Sequence, residues 1–211
     1  MSLFAIDFSI NSTAICALHR GRLHWFSFTS NLDLSKKAFS VHNDLDGLGL
    51  NVKGYSREKP KDLDYTQEQA WKVNNANYLS YNIINAIAPY VEEDSVFAFE
   101  GFSYGSKGNA FIDLITYNTF LKSKILRIAK SDILVYPPKT IKKFFTGNGN
   151  AKKEMMVETF KNSDNELLTS DPFHKYILDT NYGEKIPKPV DDLVDAFAIL
   201  CYLKEGGNSD A

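Results

Sequence analysis

The sequence predicts an α/β fold: a mixed five-stranded sheet, three antiparallel strands followed by parallel ones, flanked by helices. Three observations carry that reading. The first thirty residues alternate short β-rich runs with tight turns. Two later apolar runs, at 95–102 and 133–136, are each followed by a segment with helical spacing. No internal repeat or low-complexity tract breaks the order. Strands joined by hairpins pair antiparallel, whereas strands separated by helices cross over and pair parallel.

The elements follow in order. Leu3 to Ser9, Ala14 to His19 and Leu23 to Phe28 read as strands, with Arg20-Gly21-Arg22 as a tight hairpin turn in which Gly21 takes positive φ. Residues 31–65 are polar, with Gly47, Gly49, Gly54 and Pro60, and read as a loop-rich insertion. Tyr65 to Tyr90 has helical spacing, with Trp71, Tyr78, Ile83, Ile84 and Ile87 as buried candidates and Pro89 at its close. Ser95 to Phe102 is a strand. A glycine-containing loop follows it, and Asn109 is placed to cap a helix that buries Phe111, Leu114, Ile115, Leu121, Ile125 and Ile128. Ile133 to Tyr136 is a strand stopped by Pro137-Pro138. Helices at Lys139 to Phe145 and Ala151 to Lys161 flank Thr146-Gly147-Asn148-Gly149-Asn150. Residues 162–189 look irregular, Val190 to Leu203 is an apolar helix, and 206–211 form a disordered tail to a single domain at 1–205.

Composition narrows the function classes. Of 211 residues, 44% are hydrophobic and 24% charged, which excludes a disordered or fibrous chain. No apolar run reaches the roughly 18 residues needed to span a bilayer. The start lacks a basic stretch and Asp7 interrupts its apolar run, so a secretory signal is not expected. Cys16 and Cys201 both lie in apolar runs, which suits small core residues of a reducing, cytoplasmic compartment. The net charge of −2 hides an asymmetry: from Leu121 to Lys161 ten Lys or Arg face only Asp132, Glu154 and Glu158. That surplus of seven points to a polyanion, the alternative being lysines that solvate outer helix faces.

The acids fall in unexpected places. Asp7 and Glu100 each end an apolar strand, where a carboxylate costs heavily in desolvation unless it is paired or bound to a cation. Asp191, Asp192 and Asp195 share one face of an otherwise apolar helix. Asp191 or Asp192 alone suits a helix start, but Asp195 lies a turn further in. Gathered carboxylates raise one another's pKa until a cation neutralises them. Oxygen ligands without a His or Cys cluster favour Mg²⁺ or Mn²⁺. Two such ions serve phosphodiester hydrolysis, activating a water and stabilising the leaving oxygen.

The chain resembles the RuvC-like Holliday junction resolvases of the ribonuclease H-like superfamily, in particular their phage-encoded forms. Phe4-Ala5-Ile6-Asp7-Phe8-Ser9 through Thr13-Ala14 looks like the family's first motif, and Phe97-Ala98-Phe99-Glu100-Gly101-Phe102-Ser103-Tyr104-Gly105 is similar to the second. Pro137 to Lys143 with Thr146 to Glu154 resembles the basic segment, with its Gly-x-Gly-x-Ala-x-Lys core, and Asp192-Leu193-Val194-Asp195-Ala196 matches the final Asp-x-x-Asp-Ala helix. Residues 31–65 have no counterpart, and Phe8-Ser9 stands where many relatives have Pro-Gly.

The resemblance implies a homodimer that cuts a four-way DNA junction by paired symmetric nicks, using two Mg²⁺ ions for which Mn²⁺ substitutes. Asp7, Glu100, Asp192 and Asp195 would be the metal ligands, with Asp191 in reserve, and Lys153 would stabilise charge on the scissile phosphate. Lys107, Lys139, Lys142, Lys143 and Lys152 would hold flanking DNA backbone. Phe102 and Tyr104 follow Glu100, where an exposed aromatic stacks on an opened base; Tyr104 is the candidate, since Phe102 also suits a core. The same motifs leave open a nuclease for other branched or flap DNA and a non-catalytic junction-binding or packaging protein. An actin-like ATPase, which shares the opening strand, Asp and hairpin, lacks here a second phosphate hairpin and a glycine-rich adenine motif.

Overall fold

The computed structural model describes residues 1–30, 36–102, 108–130, 133–182 and 186–206. Its sheet has six strands: β1 (Leu3–Asp7), β2 (Ser12–His19), β3 (Arg22–Ser30), β4 (Asn51–Tyr55), β5 (Val96–Glu100) and β6 (Ile133–Tyr136), in the order β4-β3-β2-β1-β5-β6. β1, β2 and β3 pair antiparallel; β5 is parallel to β1, β6 to β5 and β4 to β3. Five strands therefore run one way and β2 alone opposes them. The β2–β3 turn is tight because Arg20 and Gly21 both take positive φ, the pairing of signs that a two-residue hairpin requires, and His19 pairs with Arg22 across it.

Both faces of the sheet are covered, which is why β1 and β5 read as continuous apolar runs. On one face Phe4, Ile6, Phe97 and Phe99 pack beneath α2 (Tyr65–Ile87) and α3 (Asn109–Ile128), with the Phe4 and Phe97 rings stacked at 4.6 Å. On the other, Leu3, Ala5 and Ala98 meet α7 (Val190–Lys204), surrounded by α1 (Lys36–Gly47), α4 (Pro138–Thr146), α5 (Lys153–Lys161) and α6 (Pro172–Asp179). Trp25 of β3 anchors this second core: its Nε1 donates to Asp171 Oδ2 at 2.8 Å, and the other Asp171 oxygen caps α6 by accepting from His174 N. α2 starts at a capping box between Asp64 and Gln67.

Four expectations need correction. The sheet has a sixth strand, and it comes from the segment read as loop: α1 and β4 occupy 36–47 and 51–55. β4 is an edge strand with Lys53 and Gly54 exposed, and among the described side chains of α1 those buried are Val41, His42 and Leu45, so neither shows a strong apolar period. Residues 162–189 contain α6. Tyr78 (50% exposed), Ile115 and Ile128 face outward, because the buried stripes run through Asn75, Ala76, Leu79, Ser80, Ile83 and Ile87 of α2 and Tyr117, Asn118, Leu121 and Ile125 of α3. Asn75 donates to the Tyr117 hydroxyl, which lets two polar side chains lie in that interface. Asn109 is the first helical residue; Gly108, at φ 80, precedes it as the cap. The expected tail from 207 onward lies outside the described residues.

If α1 is an integral part of the second core, Leu45→Ala costs about 2–5 kcal/mol in urea unfolding followed by circular dichroism. A value under about 0.5 kcal/mol is what a surface loop would give.

Candidate metal centre

Strand alternation places the first two acids. Leu3 and Ala5 point to the α7 side of β1, so Asp7, two residues on, points there as well. Val96 and Ala98 do the same for Glu100 on β5. The parallel register pairs Ile6 with Phe99, so Asp7 and Glu100 end neighbouring strands one step beyond that pair, with strand axes about 4.8 Å apart. α7 lies over this face, with Leu193, Val194, Ala196 and Phe197 fully buried against it, and brings Asp192 and Asp195 to the same end. Ser12, which opens β2, donates through Oγ to Asp192 Oδ2 at 2.5 Å.

At this end of the sheet the acids lie within electrostatic range of one another. Asp7 is held well above the usual carboxylate range, first by desolvation and then by the charges of Asp192, Asp195 and Glu100, with Lys188 acting in the opposite sense. Asp195 is pushed up to about 7 by desolvation and then by Glu100, against the pull of Lys142. Asp192 is pushed up to about 6 by desolvation and Asp191, eased by Lys188 and Ser12. Desolvation raises Glu100 too, and Lys142 opposes it.

Three lysines reach the cluster. Lys188 Nζ donates to Asp192 Oδ1 and lies 3.2 Å from Asp191 Oδ2. Lys153 Nζ donates to the same Asp191 oxygen. The other Asp191 oxygen is buried with no hydrogen-bond partner among the described residues. Sequence reasoning missed Lys188 and Ser12. The i,i+4 spacing of Lys188 and Asp192 was a readable signal, but Lys188 stands between two prolines just ahead of the helix. Lys142, expected on flanking DNA, is close enough to act on Glu100 and Asp195.

The remaining candidates lie around this centre. Lys139 and Lys143 are exposed on α4, and exposed Lys152 is the residue before α5. The loop between them folds tightly on α4: Gly147 closes that helix at φ 78, and a Cβ on Gly149 would lie 3.0 Å from the Lys139 carbonyl oxygen. Phe102 is 37% exposed and packs edge-on against Phe111 at 5.4 Å, while Lys122 Nζ sits 4.8 Å from the Phe99 ring centroid. Tyr104 and Lys107 lie outside the described residues.

The donor chemistry suits a hard divalent cation: carboxylate oxygens only, with a surplus of negative charge where water is scarce. As the side chains stand, no three of the described His, Cys, Asp and Glu residues form a ready-made ion cage. Lys188 and Ser12 occupy the oxygens of Asp192 instead. The described helices include none long and apolar enough to cross a membrane.

No family model matches the sequence, and neither does any curated protein. Among solved structures the chain is similar to RuvC of Thermus thermophilus, with a TM-score of 0.54 and 11% identity over 98% of this chain and 97% of that one. It is similar also to T. thermophilus RuvC in complex with Holliday junction substrate, with a TM-score of 0.55 and 10% identity over 98% and 96% of the two chains. Identity this low makes the likeness one of fold: the RuvC and ribonuclease H-like fold, along the whole chain.

Raised folded-state values mean that protonation favours the folded chain. The contributions of Asp192 and Asp195 are complete below about pH 4 and are lost as pH rises through about 6 and about 7. Without divalent ions, melting temperature is therefore expected to fall between pH 4 and pH 8, and Asp195→Asn to raise it at pH 8 but not at pH 4. Differential scanning fluorimetry reads both; a flat profile would mean that the four acids do not share one desolvated site.

Proposed function

We propose that this chain is a divalent-metal-dependent DNA endonuclease that resolves four-way junctions by paired symmetric nicks. The observation that carries the reading is that Asp7 and Glu100 end adjacent parallel strands beneath the buried helix that carries Asp192 and Asp195. The fold shared with T. thermophilus RuvC and the surplus of basic residues between Leu121 and Lys161 support it. The proposal includes a homodimer, since symmetric nicks need two such centres, and a phage-encoded enzyme acting in the host cytoplasm, as the motifs imply.

Asp7, Glu100, Asp192 and Asp195 would hold two Mg²⁺ ions, or Mn²⁺ in their place. When bound, the ions supply positive charge at the phosphodiester and a water acidic enough to react near neutral pH. Ser12 fixes the Asp192 carboxylate by donating to it, which leaves the acid presented toward Asp7. Lys153 sits at the mouth of the cluster, where an ammonium stabilises the extra charge that the phosphate gains during in-line displacement. Lys139, Lys143 and Lys152, with Lys107 and Tyr104, would hold the flanking strand and make affinity salt-dependent. Lys142 differs from them in being near enough to Glu100 to oppose its rise, so it would act on the acids more than on the flanking strand.

The deciding experiment is cleavage of a synthetic four-way junction in Mg²⁺, run beside flap and linear duplex DNA. Asp7→Asn and Glu100→Gln are expected to cut the rate by at least about 10²-fold while leaving junction binding in place. Binding without cutting by the unaltered chain would point to the architectural alternative, and equal cleavage of all three DNAs to a less selective nuclease. Nucleotide hydrolysis without DNA would point to the ATPase.

A further inference from the structure

We propose that Asp191 is a positioning residue: it brackets Lys153 and Lys188 at the mouth of the carboxylate cluster and is not itself a ligand of the divalent ions. The inference rests on the nuclease reading and deepens it at the same site.

Two adjacent acids open α7, and successive residues of a helix point about 100° apart. Asp192 turns inward. Its carboxylate receives Ser12 Oγ on one oxygen and Lys188 on the other, and it is among the acids that press on Asp7, with Asp195 and Glu100. Asp191 turns to the lysines. It is only 3% exposed, yet its Oδ2 meets the ammonium groups of both Lys153 and Lys188. Those two come from separate parts of the chain, the first residue of α5 and the segment leading into α7.

A ligand must face the other acids of the cluster, as Asp192 faces Asp7, whereas Asp191 Oδ2 faces the ammonium groups of Lys153 and Lys188. A bracket has different needs, and Asp191 meets them: it is buried and fixed on a rigid helix, while Lys153 remains 55% exposed along its stem. An unheld exposed lysine samples many rotamers and must be ordered when a phosphate arrives. Held by Asp191, the Lys153 ammonium stands ready directly after the loop that folds on Gly149. The buried, unpartnered Oδ1 is a feature that a ligand would share, so metal affinity is the first arm of the test.

Manganese alone is titrated calorimetrically at pH 8 into the full chain and into Asp191→Asn, Asp192→Asn and Asp7→Asn. Asp191→Asn is expected to bind within about threefold of the unaltered chain, whereas Asp192→Asn loses at least about tenfold. Junction cleavage is then measured at saturating manganese for Asp191→Asn, Lys153→Met and the pair. Each single change is expected to lower kcat by about tenfold with KM unchanged, and the double variant to be no slower than the slower single one. Lys153→Arg is expected to restore most of the rate. Lys153→Met alters a surface stem, so this arm reads out even if Asp191→Asn fails to fold. Loss of manganese by Asp191→Asn as severe as by Asp192→Asn makes Asp191 a ligand and overturns the proposal, leaving the nuclease reading standing. Losses that multiply in the double variant overturn it as well. Undiminished binding by both Asp192→Asn and Asp7→Asn overturns the nuclease reading itself.

Discussion

Mutual repulsion among desolvated carboxylates is the constraint around which this molecule is organised. Asp7 and Glu100 cannot leave the site without breaking the alternation of β1 and β5, because the residues just before them, Ala5 and Ile6 in β1 and Ala98 and Phe99 in β5, are fully buried. Asp192 and Asp195 cannot leave it either, since α7 is buried along nearly its whole length. The chain thus holds four acidic groups together by packing, against the cost of ionising them side by side. Stability stored in two apolar cores is spent at one edge, the arrangement expected where a fold is strained for chemistry.

The basic groups divide in answer to that constraint. Lys188 and Lys142 lie close enough to lower the carboxylate pKa values, while Lys139, Lys143 and Lys152 remain out in solvent. Lys142 is thereby set apart from its neighbours in the basic run and acts beside Lys188, which lies outside that run, while Lys139, Lys143 and Lys152 remain available to a polyanion. The spacing of the lysines alone does not sort them; the fold of α4 against α7 does.

Much of the fold was legible because its signals were local. β1, β5 and β6 stood out as apolar runs, and the β2–β3 turn was announced by Gly21. The four acids were legible too, since a carboxylate ending an apolar strand is costly wherever it occurs. What escaped depends on tertiary packing. β4 and α1 have weak periods and are stabilised by burying Leu45, Leu50 and Tyr55 against the sheet that precedes them. Tyr78 and Ile115 looked like core because they are apolar, but the stripe facing the sheet is decided by how α2 and α3 roll against each other, with Asn75 and Tyr117 hydrogen-bonded between them. Lys188 was overlooked for a different reason. Its partner is one helical turn away, but the cluster that gives the pairing meaning is assembled from residues nearly two hundred positions apart.

β4 also changes the proportions of the surface that surrounds the acids. It runs in the same direction as β3, so its last residue, Tyr55, reaches the end where Asp7 lies; there the Tyr55 hydroxyl donates to the Ile10 carbonyl, and Arg57 just beyond donates to Asn11 Oδ1 at 2.9 Å. Six strands at about 4.8 Å make a sheet about 24 Å wide. Asp7 and Glu100 sit off-centre in that sheet, with three strands to one side of β1 and two to the other. The β4 flank of β1 is therefore one strand wider than the β6 flank.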